Sequence, residues 1–207
     1  MTLYCSSTCP YSHQVRFVWH EKSIQSDIHY VDPDDLPEDV IDLNPYHQEI
    51  LTTLIDRDLV LYDHKIIMEY LDERFPHPPL HPMEPVARAQ ARMLIFRIDR
   101  DWYRLLDEIL HCGEKKAARA RKMLREDLVA ATPLFAAKPY FLSEEFSLVD
   151  CTLAPLLWRL PSVGIDLPRE AQPIRAYAQR IFAREGFQKS LSEREREMAE
   201  LPIKMSA

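Results

Sequence analysis

Cys9 and Ser12, in the run Cys9-Pro10-Tyr11-Ser12, stand where reactive chemistry is easiest to place. Val15, Val18 and Trp19 follow at i, i+3, i+4 spacing and predict a helix over about 11–22. Cys9 therefore sits at a helix N-terminus, where the helix dipole favours a thiolate. That makes it the candidate reactive thiol. A serine rather than a cysteine at position 12 argues against dithiol chemistry, so no catalytic residue is assigned outright. Asp63-His64-Lys65 opens another predicted helix, an end that favours anions in general. Metal chemistry has less behind it. Cys5, Cys9 and His13 are evenly spaced, but Cys5 belongs to a predicted strand and the others flank a helix start. His77 and His81 fall in a proline-rich stretch rather than on one helical face, so no metal ligands are assigned. The basic run Lys115 to Arg125 reads as one solvated face. With a net charge of −7, the chain is not expected to bind nucleic acid directly in a sequence-specific way.

The elements that position these residues come in two groups. Thr2 to Cys5 reads as a strand, the 11–22 helix follows, and residues 27–31 alternate as a second strand ended by Pro33. A short helix over about 36–43 stops before Asn44-Pro45. Residues 53–56 and 59–62 read as strands joined tightly at Arg57-Asp58, and a helix with Ile66, Ile67, Tyr70 and Leu71 comes next. Right-handed crossover makes the first two strands parallel and the last two an antiparallel hairpin at the other side. This βαβαββα order is thioredoxin-like, over residues 1–76. The proline-rich segment 77–84 reads as a stiff linker, and 85–207 as an all-helical second domain. There, Ala91, Leu94, Ile95, Ile98, Trp102, Leu105 and Ile109 mark one long helix, with Trp102 expected in the core. Residues 147–160 are apolar nearly all round and predict a central buried helix, while the charged tail 192–200 predicts an exposed one. The fold class is therefore α+β.

Composition excludes several classes. Three glycines in 207 residues leave no glycine-rich phosphate loop. Four cysteines are too few for a secreted disulfide scaffold, and no apolar run approaches a membrane span. A cytoplasmic protein without membrane contact is expected.

Ser147-Leu148-Val149-Asp150, opening a buried helix, resembles the N-capping box of glutathione transferases. Asn44-Pro45-Tyr46 followed by Thr53-Leu54-Ile55-Asp56 is similar to that family's approach to its glutathione-binding strand. Longer blocks carry a narrower resemblance: residues 11–16, 66–80, 139–143, 146–151, 153–161 and 193–198 resemble the bacterial stringent starvation protein A family. The resemblance implies a homodimer of the glutathione-transferase fold. It also implies a regulator that binds RNA polymerase holding the primary sigma factor and has no transferase activity.

The resemblance also assigns positions. Those matching a glutathione site are Cys9, Ser12, Leu51, Thr52, Asp63 and His64. Thr52 stands where transferases have a cis-proline, so a trans Leu51–Thr52 peptide is expected, because a non-proline cis bond costs about 3 kcal/mol. His64 replaces a small hydroxyl residue beside the retained Asp63 carboxylate. Both departures cut against glutathione binding, and no cofactor is expected. Pro76, His77 and Pro78 match an exposed segment implicated in partner binding. Two readings thus stand side by side, the polymerase-binding regulator and a thiol-dependent transferase or reductase using Cys9.

Overall fold

The computed structural model describes residues 1–47 and 51–200. Residues 48–50, between the expected short helix and the expected strand at 53–56, and 201–207 of the expected second domain lie outside the described residues. β1 (Thr2–Cys5) pairs in parallel with β2 (Asp27–Tyr30) and antiparallel with β3 (Thr53–Asp56), which continues to β4 (Leu59–Tyr62), giving the order β2-β1-β3-β4. Leu3, Cys5 and Leu54 alternate inward, as a half-buried sheet requires. Arg57 closes the β3–β4 turn in the left-handed region at φ 58°. α1 (Pro10–Glu21), α2 (Glu38–Leu43) and α3 (His64–Arg74) complete the thioredoxin-like arrangement. Pro10 starts α1, where its missing N–H is no loss.

The chain divides into two compact units, and the division differs from the sequence reading. The first contains residues 1–79 together with Glu185–Arg196, so the chain returns to its first unit after building the second. α10 (Glu185–Ser190) lies against α1, with Phe187 edge-on to Phe17 at 5.2 Å. The approach is close: a Cβ on Gly186 would fall 2.5 Å from a Glu21 carboxylate oxygen. α11 (Glu193–Glu200) follows. It is exposed as expected at Glu193, Arg194, Arg196 and Glu197, but Glu195 is fully buried and bonds Arg16 of α1 at 2.5 Å. The periodic charges hid the inward-facing carboxylate of Glu195. The expected 77–84 linker is also divided. Its first three residues belong to the first unit, whereas Leu80 is buried in the second, its carbonyl accepting the Leu148 N–H at 2.8 Å.

The second unit is helical: α4 (Pro85–Arg97), α5 (Arg104–His111), α6 (Glu114–Ala130), α7 (Thr132–Ala136), α8 (Leu148–Arg159) and α9 (Gln172–Phe182). α4 and α5 are one helix interrupted by a π-helical stretch, Ile98–Tyr103. From Ile98 an α-helical register points Trp102 inward, and its ring does pack on the buried Phe135 and Phe141, while the extra residue of the π turn brings Tyr103 inward as well. Tyr103 is fully buried and donates to the Thr152 carbonyl at 2.7 Å, while Trp102 is half-buried. α8 is buried nearly all round. Its capping box forms: Asp150 accepts the Ser147 N–H at 2.9 Å, and the same carboxylate receives the Phe141 N–H and the Tyr177 hydroxyl. Burial pushes the Asp150 carboxyl above its usual range, and these donors pull it back.

Candidate functional site

Two places in the first unit carry the sequence-predicted site residues. The first surrounds the start of α1. Cys9 is its N-cap, half-buried, and its thiol makes no capping hydrogen bond. Its backbone N–H donates to the Ser6 hydroxyl at 3.3 Å, which also takes the Thr8 N–H at 3.2 Å. Cys5, by contrast, lies fully buried in β1, and burial pushes its thiol up. Of the two, only Cys9 is placed to react.

Ser12 and Thr52 are brought together. Both are buried, and their hydroxyls share a 2.7 Å hydrogen bond. Ser12 Oγ also accepts the Ser6 N–H at 3.2 Å. The Leu51 carbonyl takes the Thr53 hydroxyl at 3.2 Å, and Thr53 Oγ1 receives the Asn44 side-chain amide at 2.9 Å. Among the described residues His77–Pro78 is the one cis peptide, so Leu51–Thr52 is trans, as its non-proline chemistry requires.

Asp63 caps α3, its carboxylate accepting the Lys65 N–H at 2.9 Å and the Ile66 N–H at 3.3 Å. Its backbone stands at φ 97°, which costs a non-glycine residue on the order of 1 kcal/mol or more, and the two capping bonds offset that cost. His64 sits beside it with its ring 4.7 Å from that of Tyr11. The imidazole thus fills space against α1 where a small hydroxyl residue would leave room.

The loop from Ser6 to Cys9 is held from the far end of the chain. Arg16, fully buried, donates to the Ser6 carbonyl at 2.7 Å, to the Ser190 carbonyl at 3.0 Å and to Glu195. His13 shares a 2.9 Å bond with the Ser190 hydroxyl and lies 3.4 Å from the other Glu195 oxygen. Ser192 Oγ donates to the Ser7 carbonyl at 2.5 Å. None of these partners was assigned from the sequence. One signal was available: Ser192-Glu193-Arg194-Glu195 is a capping box, and Glu195 accepts the Ser192 N–H at 3.0 Å while donating its own N–H to the Ser192 hydroxyl.

The second place is the segment after α3. Pro76, His77, Pro78 and Pro79 are all exposed. Lys22, at the C-terminal end of α1, is buried, with its ammonium 2.5 Å from Asp72 of α3 and donating to the Pro78 carbonyl. The backbone is tied down while the side chains stay outside. No sequence signal marks Lys22, a lone lysine at the end of an amphipathic helix. Among the described residues no group of three or more His, Cys, Asp or Glu could hold a metal ion, and no helix is long and apolar enough to cross a membrane.

Residues 8–74 match the family described as Glutathione S-transferase, N-terminal domain, and residues 86–185 match Glutathione S-transferase, C-terminal domain. Rice GST1, solved in complex with glutathione, superposes with a TM-score of 0.83 at 21% identity over 96% of this chain and 92% of that one, which establishes the fold. A stringent starvation protein A homolog of Coxiella burnetii is 50% identical over 202 residues, 97% of this chain and 96% of the relative. One of Pasteurella multocida is 50% identical over 92% of this chain and 90% of its own. Identity at that level, along nearly the whole length of both chains, places this chain in the stringent starvation protein A family, built on the glutathione-transferase fold.

Proposed function

We propose that the protein is a non-enzymatic regulator of transcription in the stress or stationary-phase response, docking on RNA polymerase that carries its primary sigma factor. One observation carries this reading beyond the family match. At the glutathione-site positions Ser12 bonds Thr52 and Asp63 bonds its own helix backbone, whereas Pro76 to Pro79 present unengaged surfaces on a fixed backbone. The Ser12–Thr52 bond uses part of the hydrogen-bonding capacity of both hydroxyls. The Pro76–Pro78 segment has little conformational entropy left to lose on docking, because its prolines and the Lys22 tether already restrict it.

The regulator acts in the cytoplasm as a homodimer. Val86, Met93 and Phe96 support the dimer: they project from α4 in an exposed apolar stripe of the kind a second copy covers. Purified protein should co-elute with sigma-containing holoenzyme in gel filtration at moderate salt. Separation of the two, with the protein folded by circular dichroism, would remove this reading.

A second reading rests on Cys9 alone, a half-exposed thiol at the start of a 12-residue helix. It requires glutathione-dependent turnover that vanishes in Cys9→Ser. The proposal here is that wild type and variant alike show none.

A further inference from the structure

The helical unit contains a cleft of about 720 Å³ between the end of α8, the loop that follows it and α9. That volume is within the range of small-molecule sites, roughly 300–1,000 Å³. Its floor is apolar: Leu160, Ile165 and Ile174 line it and are almost fully buried. Phe182 forms one wall, its ring edge-on to Trp158 at 4.9 Å.

The mouth is cationic. Arg169 and Arg175 both line the cleft, and Arg175 donates one N–H to the Leu167 carbonyl, which orients its guanidinium. A guanidinium has five N–H donors in a planar fork, so others remain. Neither arginine has a carboxylate partner among the described residues, in a chain with 33 acidic residues against 26 basic ones. Asp166, exposed, is the one carboxylate in the lining, and Arg125 reaches the same edge by donating to the Asp166 carbonyl at 3.0 Å. An apolar floor under two arginines that make no ion pair among the described residues, against one carboxylate in the lining, complements a ligand with an apolar tail and a single anionic head.

We propose that this cleft binds a small amphipathic carboxylate, its acyl chain on the Leu160–Ile165–Ile174 floor and its carboxylate meeting Arg175 and Arg169. The proposal is independent of the polymerase reading, since every residue it uses lies in the helical unit.

Titration calorimetry of the full chain with dodecanoate, below its micelle-forming concentration, tests it. One saturable site per chain is expected, and dodecyltrimethylammonium, with the same tail and the opposite charge, should show none. Arg175→Gln should weaken dodecanoate about tenfold, the scale of a lost charge-assisted contact, and Arg169→Gln less. Ala178→Trp, which fills the cleft from a half-exposed position on α9, should abolish binding without lowering the melting temperature. It also keeps the test decisive if Arg175→Gln folds poorly. The proposal is overturned by absence of saturable binding to the folded chain, by equal binding of the cationic detergent, or by unchanged affinity in Ala178→Trp and Arg169→Gln.

Discussion

The start of α1 and the segment after α3 belong to one compact unit, and both are tied down by buried cations, Arg16 and Lys22. They differ in what the ties leave outside. Around Cys9 the buried Ser12 and Thr52 hydroxyls bond each other and the Ser6 N–H, and half-buried Asp63 spends its carboxylate on the N-terminus of its own helix. At Pro76 to Pro79 only backbone is engaged, through the Pro78 carbonyl, and the side chains remain on the surface. The same device consolidates one region and displays the other. A binding protein needs the second arrangement, while a glutathione enzyme needs the first to be open.

Arg16→Met should break the first region most severely. It leaves Glu195 buried without its cation, which costs about 3–5 kcal/mol, read from urea denaturation. Under conditions where the variant is still folded, its affinity for polymerase should match wild type, because the Pro76–Pro78 segment is untouched. Lys22→Met sharpens the contrast. Asp72 loses the Lys22 ammonium at a cost of about 3 kcal/mol, and the Pro78 carbonyl loses its tether. Polymerase affinity should fall beyond what the unfolded fraction explains, and Lys22→Arg should restore part of it. Equal affinity in Lys22→Met would show that the tether does not prepare the segment.

Ser12→Ala is the next smaller step. It strands the Thr52 hydroxyl and the Ser6 N–H, costing about 1–2 kcal/mol in a denaturant titration, with polymerase affinity unchanged. Smallest in stability are Cys9→Ser and His77→Ala, each expected within about 0.5 kcal/mol of wild type by thermal melting. They separate by function: only His77→Ala should weaken polymerase binding.

Much of the fold was legible because local rules and tertiary structure agree. The β3 and β4 limits follow from alternation and the Arg57-Asp58 turn, and α8 from its capping box and unbroken apolar run. Where the reading failed, a distant partner overrode a local pattern. Trp102 satisfied the helical period and packs on Phe135 and Phe141, but the period gave no sign of Tyr103, which the π stretch brings to the Thr152 carbonyl. The tail read as solvated because most of its charges are, whereas Glu195 meets an arginine 179 positions away. At the candidate site, the trans Leu51–Thr52 bond followed from residue chemistry. The Ser12–Thr52 bond did not, because two hydroxyls 40 residues apart carry no sequence signal of contact. Lys22 was invisible for the same reason, with its carbonyl partner 56 residues away.

The central claim is that the displayed segment binds and the consolidated one does not catalyse. The measurement that tests it most directly is the affinity of wild type, Cys9→Ser and His77→Ala for sigma-containing RNA polymerase, with melting temperatures recorded alongside. The account predicts tight binding by wild type and Cys9→Ser and a loss of about tenfold in His77→Ala at unchanged melting temperature, the scale of an interface hot spot. Equal binding by all three, or loss in Cys9→Ser alone, would contradict it.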